Sequence, residues 1–424
     1  MSAIAVASPH ERVSRDTLTL ILAGGSGTRL HDLTRWHAKP AVPFGGAYKT
    51  IDFPLSNCIN SDLRRIFILT QYKSHSLNRH ILKGWHLLHP ELNEFIELLP
   101  AQQRTGDCWY LGTADAVRQN LDILRDQRPQ RVLILAGDHV YKMDYRLMLE
   151  RHLDCGADVT IGCVPVPLAE AGEFGVIAVD DAGWVRRFEE KPAVPPPWPG
   201  NPAQALASMG IYVFERTFLE QVLERQLAGL RPGHDFGRDI LPALLGRARI
   251  AAYDFRDPET GAPAYWRDVG TVDAYYEAHM DLLAVTPRLD LYDRNWPVWT
   301  YQEQAPPSKF VFDSAQRRGQ ALDSMVASGC IVSGASVRHS SLGTNVRVNS
   351  FALVEDSVIL PNVDIGRGCH LRRVVVDANC AIPAGTVIGF DTAADARRFH
   401  VSPRGITLVS AEMLAEAAPH SHVA

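Results

Sequence analysis

The sequence predicts two domains: an α/β domain built on a mostly parallel, Rossmann-like sheet, followed by a parallel β-helix. Two observations lead there. From residue 17 to about 285, short β-branched runs alternate with helical patterns, the signature of a parallel sheet covered by helices. Beyond residue 320 the apolar spacing becomes five or six residues, carried by Val326, Ile331, Val337, Leu342, Val348, Val354, Ile359, Ile365, Leu371, Val376, Ile382 and Ile388. A period near six is neither 3.6 nor 2. It suits the short strands of a β-helix, each turning one aliphatic residue inward.

In the first region the runs at 17–23, 65–70, 131–136, 157–166, 176–179, 184–189, 210–215 and 249–255 read as strands. Helical periodicity covers 74–85, 114–124 and 272–283. The Pro-rich stretch 191–202 reads as a surface loop. The expected organisation is a tail at 1–16, an α/β domain at 17–286, a linker at 287–320, a β-helix at 321–400 and a C-terminal segment at 401–424.

Composition narrows the function. The chain has 424 residues, 46% hydrophobic and 21% charged, which is globular and large enough for more than one core. A net charge of −5 supplies no basic footprint, so nucleic acid is not an expected partner. No apolar run reaches the roughly 20 residues of a spanning helix, and the N-terminus lacks the order of a signal peptide; a cytoplasmic protein without a membrane partner is expected. Seven cysteines without a C-x-x-C pattern read as reduced thiols.

The chemistry collects at strand ends. The run 17–23 enters a turn in which Gly24, Gly25 and Gly27 lack side chains, so that backbone N–H groups can approach an anion. It is neither a dinucleotide fingerprint, since Leu30 takes the place of the last glycine, nor a Walker A loop. Arg29 and Lys39 follow, two cations suited to a departing pyrophosphate. The strand 131–136 ends at Asp138, where an open α/β sheet places its ligand crevice. Asp268, in a Gly-containing turn, offers a second carboxylate, and the pair would complete a Mg²⁺ shell with phosphate oxygens. Glu190 and Lys191 end another strand; the lysine would pair with a phosphomonoester and the glutamate would accept from sugar hydroxyls. Ser208 and the His234–Gly237 loop add polar groups that would face a sugar.

Together, LAGGSGTRL (22–30), AKPAVPFGG (38–46), WYLGTADAVRQNLDI (109–123), LAGDHVYKMDY (135–145), FEEKP (188–192), SMGIYVF (208–214), HDFG (234–237) and YWRDVGT (265–271) resemble the sugar nucleotidyltransferases, specifically their bacterial adenylyl-transferring members. The resemblance spans nearly the whole chain. It implies a left-handed β-helix, a homotetramer, a small-molecule allosteric effector, and Mg²⁺-dependent conversion of ATP and α-D-glucose 1-phosphate to ADP-glucose and pyrophosphate for glycogen synthesis. Carried over by motif, Asp138 and Asp268 would hold the metal, and Arg29 and Lys39 would neutralise pyrophosphate. Lys191 would grip the sugar phosphate, while Tyr110, Gly175, Glu190, Ser208, Asp235 and Trp266 would contact glucose 1-phosphate. Gln71 and Gln103 would lie near the adenine pocket, beside the glycine loop of Gly24, Gly25 and Gly27. A catalytically silent subunit of the same architecture would not need Arg29, Lys39, Asp138, Lys191 and Asp268 together.

The sequence departs from the resemblance in its regulatory positions. Where enteric members activated by fructose 1,6-bisphosphate carry cations, this chain has Trp36, His37, Ala411 and Ala415; Ala47 replaces a lysine common in the family, and Ala378 an inhibitor-binding arginine. A bisphosphate needs several charge-assisted contacts. A different or weaker effector is expected, with Lys49 and Arg318 as the remaining anchors.

Overall fold

A computed structural model describes residues 13–103, 108–227, 233–314 and 316–417. Among these, nine strands form one sheet: β1 (Thr17–Ala23), β2 (Arg65–Thr70), β3 (Phe95–Pro100), β4 (Arg131–Ala136), β5 (Val159–Pro167), β6 (Gly175–Val179), β7 (Val185–Glu190), β8 (Gln204–Glu215) and β9 (Ile250–Asp254). The main path runs β7-β6-β8-β4-β1-β2-β3, with β5 and β9 attached through β8. In the half that matters for the site, β4, β1, β2 and β3 pair in parallel. Both faces of β1 are covered: Leu18 and Leu20 enter one core and Ile21 the other, which is why its sequence is nearly all apolar.

Three elements differ from the sequence reading. Strand β8 begins at Gln204, not 210, and runs antiparallel to β4, β5 and β6. A bulge between Ser208 and Ile211, with Gly210 at φ 66°, interrupts its pattern without ending the strand. Strand β3 is absent from the sequence reading: it is a half-exposed edge strand with Glu97 inside its apolar run, which weakens any strand pattern. The expected helix 114–124 is two helices, Thr113–Arg118 and Leu121–Gln127, broken where Asn120 Nδ2 donates to Ala116 O (2.8 Å) and Tyr110 Oη (2.9 Å).

The C-terminal region is a β-helix of three parallel sheets. Val332, Val348, Ile365 and Ile382 stack along one, Val337, Val354, Leu371 and Ile388 along the second, and Leu342, Ile359 and Val376 along the third. On the first sheet Val332, not Ile331, points inward: Val332 is fully buried and Ile331 only half-buried. Corners repeat with the coil. Asn345, Asn362 and Asn379 adopt φ near 61° and donate side chain to side chain at 3.3 and 3.1 Å, a ladder that no short-range pattern announces. Its first strand, Lys309–Val311, lies inside the stretch expected as a linker, and Thr407–Val409 joins the third sheet from beyond residue 400. The segment before it is strapped to the catalytic domain: Trp296 Nε1 donates to Asn57 Oδ1 (2.9 Å) and Thr300 Oγ1 to Asp52 Oδ2 (2.7 Å).

The β-helix docks on the segments Thr28–Thr34 and Val272–Asp281, which flank the site described below. Ser410 Oγ donates to Asp32 Oδ2 (2.6 Å), Trp36 Nε1 to Glu412 Oε1 (2.8 Å), and the His31 and His400 rings stack at 3.7 Å. Tyr275, Tyr276 and Phe44 share a core with Val358, Val375 and Leu408. Inside it, His279 Nδ1 donates to Tyr275 O (2.9 Å) and Nε2 accepts from Gly45 N (3.2 Å). Burial pushes its pKa down to about 4. Between pH 6.5 and 4 the unfolded chain therefore binds more protons at this residue, and its stabilisation is lost as pH falls, by about 3 kcal/mol in full. Asp377, raised to about 7 by burial, titrates with the opposite sign, so the informative quantity is a difference. Urea unfolding from pH 7.5 to 4.5 should show His279→Gln losing less stability than the parent; parallel pH profiles would refute the assignment.

Candidate active site

A cavity of about 460 Å³ opens at the C-terminal ends of β1, β2 and β4, the crevice position of open α/β sheets. Gly24, Gly25 and Ser26 form part of its wall. A Cβ on Gly24 would lie 3.4 Å from Gln71 Cβ, whereas one on Gly25 meets nothing within 4 Å, so Gly25 leaves open space for a ligand. Gly27 serves the turn from behind: its φ is 66°, Thr34 Oγ1 donates to its carbonyl at 2.8 Å, and a Cβ would be 2.9 Å from Thr34 Cγ2.

The charged centre is assembled by long-range pairing. His139–Tyr141, just past β4, pairs antiparallel with Trp266–Asp268, setting Asp268 opposite His139 and therefore beside Asp138. Lys39, on the one-turn helix Lys39–Ala41, lies between them, its Nζ 2.5 Å from Asp138 Oδ2 and 3.0 Å from Asp268 Oδ1. Burial opposes charge on Lys39 and Asp268, yet the attraction wins. It holds the Asp268 carboxyl down at about 2, through Lys39 first and His139 next, and it raises the Lys39 pKa. His139 Nε2 stands 3.7 and 3.9 Å from the two carboxylates.

The far end of the cavity is acidic. Glu190 and Asp235 line it with Tyr110, Gly112, Thr113, Tyr212 and Gly237. Burial, and after it the Asp235 charge, raises the Glu190 pKa. A Cβ on Gly237 would come within 2.6 Å of Glu190 Oε2, so the glycine makes room for that carboxylate. Thr113 Oγ1 donates to Asp235 Oδ2 and accepts from Phe236 N, both at 3.0 Å, joining the two loops. A Cβ on Gly112 would lie 2.3 Å from His234 O, so only glycine permits this approach.

The expected site residues thus separate. Gly24, Gly25, Gln71, Tyr110, Asp138, Glu190 and Asp235 share the cavity, with Lys39 and Asp268 joined through Asp138. Arg29 and Trp266 line an adjacent cleft of about 1340 Å³ together with Asp268; Arg29 is paired to Glu173 at 3.1 Å. The Trp266 indole Nε1 is buried without a partner among the described residues. Gly175 is buried behind Glu190, and a Cβ there would strike Phe188 Cζ at 2.7 Å. Ser208 is buried on β8, where its Oγ accepts from Gly210 N at 3.4 Å. Lys191 is exposed with φ 47° and Gln103 with φ 53°; neither is part of the cavity wall, although Glu190 beside Lys191 is. Sequence reasoning missed Thr113, Tyr212, His139 and Glu173; Thr113, Tyr212 and His139 sit inside quoted motifs, but nothing local says what they touch. Of the expected effector anchors, Lys49 Nζ donates to Ala41 O (2.7 Å) and Arg318 pairs with Asp313 (2.7 Å), so both are engaged.

A glycine-walled cavity at the sheet's crevice, with Asp138 in its wall bridged by a buried lysine to Asp268, and with an acidic end, defines a nucleotidyl-transferring enzyme. The model of the nucleotidyl transferase family matches residues 18–285, and that of the GlmU-like C-terminal hexapeptide family matches residues 306–409. The chain is 60% identical, over 94% of both chains, to the glucose-1-phosphate adenylyltransferase of Paramagnetospirillum magneticum. It is 57% identical, over 96% of both, to the enzyme of that name from Methylococcus capsulatus, and 58% identical over 96% of both to glucose-1-phosphate adenylyltransferase 2 of Alkalilimnicola ehrlichii. The chain belongs to the glucose-1-phosphate adenylyltransferase family.

Proposed function

We propose that this chain joins ATP to α-D-glucose 1-phosphate, giving ADP-glucose and pyrophosphate, the reaction named in its relatives. The observation that carries this reading is the cavity in which the glycine loop and the acidic Glu190–Asp235 end meet at Asp138, which Lys39 bridges to Asp268 in the neighbouring cleft. An oxygen of the sugar phosphate attacks the α-phosphorus of ATP, forming a P–O bond there. The bond to the bridging oxygen breaks, and pyrophosphate leaves with its electron pair. The nucleophile is already an anion, so no general base is needed. The obstacle is charge, roughly 4 kcal/mol for two unit anions 4 Å apart at an effective dielectric near 20. Lys39 and Arg29 offset it on the leaving side, and Lys191 beside Glu190 holds the sugar phosphate. Glu190 and Asp235 accept from sugar hydroxyls, and the orphaned Trp266 Nε1 is a donor that a substrate oxygen would satisfy.

Asp138 and Asp268 fit Mg²⁺: they are hard oxygen donors already gathered about one cation, the Lys39 ammonium. When bound, the ion supplies charge neutralisation at the phosphate oxygens. A homotetramer is supported by exposed apolar side chains on the β-helix, Phe310, Phe351, Val387 and Phe390, each more than 40% exposed. Control by a small-molecule effector is supported by the docking of the β-helix on the segments that carry Arg29 and follow Asp268. With Trp36, His37, Ala411 and Ala415 where the enteric members carry cations, the effector is different from fructose 1,6-bisphosphate or acts more weakly. Seven free cysteines favour a reducing cytoplasm, where ADP-glucose would feed glycogen synthesis.

Pyrophosphate release from glucose 1-phosphate and Mg²⁺ should be fastest with ATP among ATP, GTP, UTP and dTTP; a higher kcat/KM with another nucleotide would overturn the adenylyl assignment. Thr113→Val, which frees Asp235, should raise KM for glucose 1-phosphate roughly tenfold, the equivalent of one charge-assisted hydrogen bond. Thr113→Ser should restore it. Equal KM values for the valine and serine variants would contradict the positioning role.

A further inference from the structure

Lys39 stands where the cation of the site belongs. Its ammonium contacts both carboxylates at once, at 2.5 and 3.0 Å, and its side chain is only 11% exposed. The other cationic groups nearby are less well placed: His139 Nε2 is 3.7 and 3.9 Å from the two carboxylates, and Arg29 is turned to Glu173 at 3.1 Å. We infer that Lys39 is a resident counterion that blocks the Asp138–Asp268 pair in the unliganded enzyme, so that a divalent ion enters only with a triphosphate that draws the ammonium away. This rests on reading Asp138 and Asp268 as the metal-holding pair.

The ammonium occupies one oxygen of each carboxylate and opposes any second cation placed between them. It cannot simply leave, because two partly buried carboxylates without a counterion are strongly disfavoured. A triphosphate removes that obstacle by offering Lys39 new anionic partners as the metal fills the vacated pair. Lysine suits the exchange: it is a compact charge on a flexible four-carbon stem, where arginine would be a rigid fork. The backbone beneath it is fixed, since its carbonyl accepts from Val42 N at 3.2 Å and Thr50 Oγ1 at 3.3 Å, so the side chain alone can move. Metal and nucleotide should then bind with strong mutual cooperativity, and metal alone should bind weakly.

The test is Mn²⁺ binding to the full-length protein without nucleotide, followed by electron paramagnetic resonance of the free ion. Lys39→Met should bind Mn²⁺ at least tenfold more tightly than the parent, and Lys39→Arg should stay as weak as the parent. Equal affinity of parent and Lys39→Met would overturn the counterion role while leaving the metal pair intact. Tight binding that survives Asp268→Asn in the Lys39→Met background would instead overturn the metal-pair reading. Thermal unfolding supplies a second readout: Mg²⁺ should raise the Tm of Lys39→Met and leave that of the parent unchanged. If Lys39→Met folds only with millimolar Mn²⁺ present, the inference is supported, and if Mn²⁺ does not restore its fold, the inference fails.

Discussion

Asp138→Asn is expected to lower kcat by about a thousandfold or more, with both KM values staying within a few-fold of the parent. The amide is isosteric, so the fold around β4 and the His139–Tyr141 ribbon should persist. What changes is charge. Asp138 holds the shorter of the two Lys39 contacts, at 2.5 Å against 3.0 Å for Asp268, and it is the one of the pair that lines the cavity. Asparagine removes a unit charge from the point where negative charge is redistributed during transfer, and it can turn an N–H₂ group toward the cations. A loss of about 4 kcal/mol of transition-state stabilisation corresponds to that thousandfold drop. Steady-state kinetics beside a thermal melt distinguish this from misfolding: an unchanged Tm with kcat within tenfold of the parent would sink the assignment of Asp138 to the reacting centre.

Lys191→Ala is expected to raise KM for glucose 1-phosphate by roughly a hundredfold while kcat and KM for ATP change only a few-fold. Lys191 follows Glu190, which lines the cavity, and its backbone N–H donates to Phe174 O at 3.0 Å, fixing the left-handed turn at φ 47°. Its side chain is exposed and has no ion pair among the described residues, so its charge is free for a phosphomonoester. A charge-assisted contact of this kind contributes about 2–3 kcal/mol, made equally in the ground and transition states, and such uniform binding appears in KM. Lys191→Arg should recover part of the affinity. A lowered kcat with unaltered KM for glucose 1-phosphate would place Lys191 in the chemistry and refute its role as a phosphate anchor.

Much of the site is legible in the chain because its residues sit at strand ends and in glycine turns, and both are local features. Gly24 and Gly25 follow β1 directly, and Asp138 follows β4 at the crevice end of the sheet. Arg29, Lys191 and Gln103 could be assigned a type of chemistry but not a position. The turn of Arg29 toward Glu173 and the exposure of the other two depend on packing between loops distant in sequence. The β-helix period was visible because each inward aliphatic is forced by a short strand. Its corner ladder was hidden because Asn345, Asn362 and Asn379 meet only after the coils stack.

The two architectures and the anion-binding character of the glycine turn are thus written in local periodicity and in backbone freedom, which need no knowledge of distant neighbours. The central geometry is different. Whether Lys39 faces solvent, a phosphate or two carboxylates depends on the Trp266–Asp268 strand pairing in register with His139–Tyr141, and on the β-helix seating the Val272–Asp281 helix that follows. Strand register and side-chain partner are long-range choices, settled by which buried surfaces fit together, and only the folded chain makes them.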